Sequence, residues 1–176
     1  MGNQSSSASF EPLVDNHLNG LFNVAVSLKT NNAELQQNAS AALDQNVTEW
    51  ISVINSAMPG MGTMIGDVIR ASVQHEISIA FAIICCHCVG DCKCDNAELL
   101  RISLAEMQST QESIVSSLHK VVGQDALWRH LLSRQLVGIV NYCTALSRTE
   151  NSAGVQRECF LHGKELSAAL TRAIIG

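Results

Sequence analysis

Apolar side chains recur every three to four residues over most of the chain beyond residue 12, which is the period of amphipathic helices. Short stretches of polar residues, glycine or cysteine interrupt this period five times. The pattern therefore predicts six helices. Their predicted ranges are 12–28, 33–58, 64–86, 95–122, 125–146 and 155–175.

The breaks between these helices contain residues that begin or end helices. Pro12 suits the first helical turn, where its missing N–H is not needed. Asn32 is a suitable N-cap, and Glu34 places a carboxylate in the first turn of the helix it opens. The clearest break is residues 59–62, Pro-Gly-Met-Gly. A second one is the cysteine-rich segment 85–95, which contains Gly90 and is predicted to be a loop.

The first, third and fifth predicted helices resemble one another. Aligning helix one with helix five at an offset of 118 matches Gly20 with Gly138. Aligning helix one with helix three at an offset of 58 matches His17 with His75. Together these alignments assign His17, His75 and Gln135 to one repeat position.

The second and fourth helices resemble one another as well. Residues 32–35, Asn-Ala-Glu-Leu, recur at 96–99 with an offset of 64, so the cysteine-rich segment is interpreted as an insertion into the second copy. Hairpins of this kind bury their apolar faces only against each other. We therefore predict an all-α fold, a single-domain six-helix bundle built from three repeated antiparallel helical hairpins. The hairpins are 12–58, 64–122 and 125–175, and a flexible tail, 1–11, precedes them.

This arrangement resembles small all-helical bacterial proteins, typical of bacilli, that are built from repeated helical hairpins. In those proteins each odd helix has a histidine in the middle of an apolar run. Asn16-His17-Leu18 and Gln74-His75-Glu76 match that pattern, whereas Arg134-Gln135-Leu136 departs from it. The resemblance implies a fold and no activity.

Composition limits the classes of function. With 47% hydrophobic and 15% charged residues, the chain has enough apolar side chains for a sizeable core. A net charge of -5, without a basic run, argues against nucleic acid as a partner. Five of the seven cysteines are clustered, and no signal peptide precedes them. These features predict an intracellular protein, cytoplasmic or membrane-associated, that is not secreted. The longest uncharged apolar run, 77–86, has half of the ~20 residues that a membrane span needs.

The cysteine-rich segment is the first candidate for chemistry. Two Cys-x-Cys pairs and a histidine within ten residues have the soft ligands that Zn²⁺ or Cu(I) prefers. Acylation of the cysteines, a disulfide in the loop, or no role at all are open alternatives. The candidate ligands are Cys85, Cys86, His87, Cys88, Cys92 and Cys94.

The second candidate is the set of repeat-equivalent polar residues. A pseudo-threefold bundle would bring His17, His75 and Gln135 together, where they would hold a metal ion or a small polar ligand. The alternative is that each histidine is a core residue hydrogen-bonded to a neighbour.

The N-terminal residues Met-Gly-Asn-Gln-Ser-Ser match the N-myristoylation pattern at Gly2. No nucleotide-binding loop, nucleophile elbow or His-Glu-x-x-His motif occurs. The leading prediction is therefore a non-enzymatic structural or interaction protein, held against a membrane through an acylated Gly2 and of viral or virus-like origin. Its expected partners are other proteins, further copies of itself, or a membrane surface. A soft-metal protein using the cysteine-rich segment, and a metal or ligand site at His17 and His75, are the alternatives.

Overall fold

The computed structural model describes residues 9–88 and 96–176, apart from the side chains of residues 86–88 and 96. It is an all-α bundle of six helices, as predicted, and the described residues contain no strand. The helices are α1 Glu11–Thr30, α2 Ala33–Ala57, α3 Met61–Cys88, α4 Asn96–Val122, α5 Asp125–Ser147 and α6 Ser152–Leu170. A turn of π-helix, Thr171–Ile175, extends α6.

The helix ends follow local sequence signals. Asn32 caps α2, because its side-chain oxygen accepts a hydrogen bond of 2.9 Å from the backbone N–H of Leu35. Asn151 caps α6 in the same way, with Gly154 as donor. The breaks before α3 and α5 contain Gly60 and Gly123 at φ of +84° and +65°, a conformation that favours glycine.

The odd helices form the inside of the bundle, and the even helices lie around them. Helices α1, α3 and α5 contact one another. Each even helix packs most closely on the odd helix that precedes it and also touches the next one, and α6 closes the ring on α1. The three antiparallel pairs therefore correspond to the predicted hairpins. The repeat in sequence remains a prediction.

Glycine permits close approach within two of these pairs. A Cβ at Gly20 would lie 2.7 Å from the side chain of Leu43 on α2. A Cβ at Gly138 would lie 2.9 Å from Sγ of Cys159 on α6. The two glycines that match in the sequence therefore have the same role in the first and third hairpins, where each allows its helix to pack closely on the next one.

Two clusters of buried apolar side chains form the core. The first contains Phe22 and Tyr142, whose ring centroids are 4.2 Å apart. The second contains Ile54 and Trp128. Phe10 also belongs to the second cluster and is fully buried. The ordered core therefore begins inside the range 1–11 that was predicted to be a flexible tail.

Helix α3 is longer than its predicted range, 64–86, at both ends, and it begins at Met61. It continues to Cys88, so the segment 85–95 is not a loop throughout, and its first four residues are helical. One helix of the described part of the chain, Met61–Cys85 of α3, is long and apolar enough to cross a membrane, with mean hydropathy 1.4. The run 77–86, from which no membrane span was expected, is only part of this helix. In the bundle α3 packs against α1, α2, α4 and α5, and core helices of soluble bundles share its length and composition. This feature alone does not assign the protein to a membrane.

Candidate functional site

A cavity of about 120 Å³ lies along the middle of the bundle, and side chains from all six helices line it. Its wall draws on both core clusters and is mainly apolar. Cavities of this size are uncommon in protein interiors, which are packed as densely as organic crystals. The apolar wall includes Val14, Trp50, Ile54, Ile69, Val73, Met107, Trp128 and Leu132.

Five polar side chains interrupt this wall. Two are Ser72 and Gln111, and the other three are His17 on α1, Glu76 on α3 and Gln135 on α5. Glu76 is only 4% exposed and Gln135 only 7% exposed. Polar groups buried to this degree are normally hydrogen-bonded, since leaving one unpaired costs about 1–3 kcal/mol.

His17 and Glu76 form a pair between α1 and α3. Nε2 of His17 lies 2.9 Å from Oε2 of Glu76. The contact is an ion pair by distance, yet Oε2 accepts no well-aligned hydrogen bond from the described residues. Burial lowers the pKa of His17, whereas the charge and close contact of the Glu76 carboxylate raise it by more. The net effect is a pKa above the ordinary value. The pair therefore favours imidazolium beside carboxylate.

Gln135 is unlike the other polar residues of the wall. Neither its Oε1 nor its Nε2 has a hydrogen-bond partner in the described part of the protein. Gln111, also on the wall, donates from Nε2 to the backbone oxygen of Leu132 at 3.1 Å. The hydroxyl of Ser72 contacts Sδ of Met107 at 3.7 Å. Gln135 is therefore the wall residue with both a donor and an acceptor still to be satisfied.

The structure changes the register of the predicted polar set by one residue. His17 and Gln135 line the cavity, but the third inner position is Glu76 and not His75. His75 lies away from the cavity, where its Nδ1 is 3.2 Å from Oε2 of the half-exposed Glu106. Consecutive members of the corrected set, His17, Glu76 and Gln135, are 59 residues apart. The offset of 118 between Gly20 and Gly138 spans two repeats, so one repeat is 59 residues long. Adding 59 to the position of His17 gives Glu76, and this equal spacing was the signal that could have identified it.

The two histidines of the predicted metal site, His17 and His75, lie beside different glutamates, Glu76 and Glu106. Among the side chains that the structure describes, residues 9–85 and 97–176, no three from His, Cys, Asp or Glu come close enough together to hold a metal ion.

Most of the predicted soft-metal site lies outside the side chains that the structure describes. Cys85 is half-buried near the end of α3. The remaining predicted ligands fall outside the described side chains, and the acylation site Gly2 falls outside the described residues. These positions are Gly2, Cys86, His87, Cys88, Cys92 and Cys94.

Two further cysteines, Cys143 and Cys159, lie in the core. Burial raises the pKa of the Cys143 thiol to about 12, and the neighbouring Cys159 adds to this. Burial likewise raises the pKa of Cys159 to about 11, with Glu158 contributing. Thiolates are the nucleophilic and metal-binding form of cysteine, so both residues act as apolar packing groups.

Comparison of the chain with protein-family models, with curated proteins and with solved structures found no match.

Proposed function

We propose that this protein is a non-enzymatic helical bundle that binds one small, largely apolar molecule in its central cavity. The observation that supports the proposal is the combination of a cavity lined by all six helices with the buried amide of Gln135, which has no hydrogen-bond partner among the described residues. Ligand sites in proteins are mostly apolar concavities with a few placed polar groups.

The size of the cavity limits the ligand. An engineered protein cavity of about 150 Å³ with apolar walls binds benzene. A cavity of about 120 Å³ is therefore suited to a single ring or a short branched chain. Burying the apolar surface of such a molecule is favourable by about 25 cal/mol per Å² before the cost of association.

Catalysis is not part of the proposal, because the polar side chains that could act as nucleophile and base already contact other residues of the protein. An activated nucleophile needs a base within hydrogen-bond reach. The hydroxyl on the wall, that of Ser72, is directed to Met107, and His17 is engaged by Glu76. These contacts support binding without a chemical step.

The test is binding of toluene to the purified full-length protein, measured by calorimetry and by the shift in melting temperature. We expect saturable binding to one site and a melting temperature that rises with toluene concentration, since a ligand that binds the folded state stabilises it. Ser72→Leu adds bulk to the wall and should abolish binding. Ser113→Leu makes the same change at an exposed position of α4 and should leave binding intact.

Absence of toluene binding to the wild-type protein would overturn the proposal. Equal binding by wild type and by a folded Ser72→Leu variant would also overturn it, because the toluene would then bind elsewhere.

A further inference from the structure

We infer that the cavity selects a neutral molecule whose polar group both donates and accepts a hydrogen bond, a hydroxyl or a carboxamide, and that Gln135 recognises this group. The inference rests on the proposed function and names the class of ligand. It is drawn from the amide of Gln135, which lacks a partner within the described residues, and from the charges of His17 and Glu76 on the same wall.

Gln135 determines the kind of hydrogen bond. A glutamine amide has two N–H donors and one carbonyl acceptor. Both ends of this amide lack a partner within the described residues, and the side chain is more than nine-tenths buried on the cavity wall. A purely apolar ligand would leave both ends unsatisfied. A ligand group that is donor and acceptor at once satisfies either end or both.

The His17–Glu76 pair determines the charge of the ligand. With the imidazole protonated and the carboxylate ionised, the two charges compensate each other at 2.9 Å. A carboxylate ligand would meet the like charge of Glu76, and an ammonium ligand would meet the like charge of His17. Placing an uncompensated charge in an apolar cavity is strongly unfavourable. A neutral polar group avoids both penalties.

Gln111 provides an internal comparison within the same wall. One N–H of its amide already donates to the backbone oxygen of Leu132. The two glutamines of the cavity therefore differ in the presence of a protein partner, and Gln111 is also less buried than Gln135. This difference makes Gln111 a matched control for Gln135.

The experiment compares phenol with toluene, which have nearly the same shape but differ by a hydroxyl in place of a methyl group. Dissociation constants are measured by calorimetry on the wild-type protein and on Gln135→Met, which keeps the side-chain length and removes donor and acceptor. We expect the ratio of the phenol constant to the toluene constant to rise by about tenfold in Gln135→Met, the effect of one lost hydrogen bond. Gln111→Met should leave this ratio unchanged.

The outcomes separate the inference from the proposed function. If toluene binds and the phenol-to-toluene ratio is the same in wild type and Gln135→Met, the inference is overturned and the proposed function stands. If neither compound binds the wild type, both are overturned.

A second measurement uses the wild-type protein alone, so it does not depend on the folding of a variant. Benzyl alcohol and benzylammonium differ only in the neutral or charged polar group. We expect the alcohol to bind at least about tenfold more tightly, and the side-chain amide resonances of Gln135 to shift with the alcohol. Equal or tighter binding of benzylammonium would overturn the inference.

Discussion

Nε2 of His17 on α1 lies 2.9 Å from Oε2 of Glu76 on α3, and this pair is part of the wall of the central cavity. The two residues come from different hairpins. Their contact therefore links two inner helices, α1 and α3, beside the cavity to which Gln135 contributes from α5. Three polar side chains in an apolar interior need mutual compensation or a ligand, and the pair supplies compensation for two of them.

Replacing Glu76 by Gln should destabilise the protein by about 3 kcal/mol. The substitution removes one partner of a buried pair and leaves the imidazolium of His17 without its counter-charge. The measurement is the free energy of unfolding in urea at pH 6. Glu106→Gln makes the same change in the pair with His75, where Glu106 is 55% exposed, and should cost no more than about 0.5 kcal/mol. Equal losses for the two variants would show that the His17–Glu76 pair is not a buried interaction.

The protonation of His17 should make stability depend on pH. Its pKa is raised on folding, so the folded protein binds this proton more tightly than the unfolded chain does. The stabilisation is therefore complete below the ordinary value of 6.5 and is lost as the pH rises from there through the folded pKa. An NMR titration of the His17 ring should give a pKa above 6.5 in the wild type.

The same titration in Glu76→Gln isolates the cause of the shift. Without the carboxylate, burial alone acts on the ring, and the pKa of His17 should fall below 6.5. Glu106→Gln should leave the His17 titration unchanged. A pKa of His17 that stays above 6.5 in Glu76→Gln would contradict this account.

Gly20→Ala should destabilise the protein by about 1–3 kcal/mol. The added Cβ would lie 2.7 Å from the buried side chain of Leu43 and force α1 and α2 apart. Gly154→Ala is the matched control in α6, because its Cβ would have no neighbour nearer than 3.8 Å. That variant should gain up to about 1 kcal/mol from helix propensity. Urea unfolding of both variants measures the difference, and a neutral Gly20→Ala would mean that the two helices are packed less closely than the structure indicates.

Cys143 and Cys159 should resist alkylation in the folded protein. Their thiols have pKa values of about 12 and 11, so almost no thiolate exists at pH 8, and both side chains are buried. Iodoacetamide treatment followed by mass mapping of peptides should show both residues unmodified in native protein. Both should react fully in urea. Rapid native modification of either residue would show that it is more accessible or more acidic than its surroundings imply.

Much of the fold was predictable from local features of the sequence. Asn32 caps the helix it was expected to cap, and Pro59 and Gly60, the first half of the predicted break, lie between α2 and α3. The boundary of α3 was less predictable, since cysteine, histidine and glycine near residue 88 are compatible with either a helix end or a loop.

The candidate site was predictable in part. His17 and Gln135 were assigned to one interior position, and both line the cavity. His75 was assigned to it in place of Glu76. Successive residues of a helix are about 100° apart around its axis. An alignment that is wrong by one residue therefore exchanges a side chain on the cavity for one that points to the side of the helix. Sequence similarity among short amphipathic helices does not resolve a shift of this size.

The amino-acid sequence by itself determined the six helices and their antiparallel pairing, because helical period, caps and breaks act between residues close together in the chain. Only the tertiary structure decided that Glu76 lines the central cavity, that it meets His17, and that apolar side chains complete the wall around them. Those features depend on how the side chains of six helices fit together, and that fit is a property of the packed bundle and of no single segment.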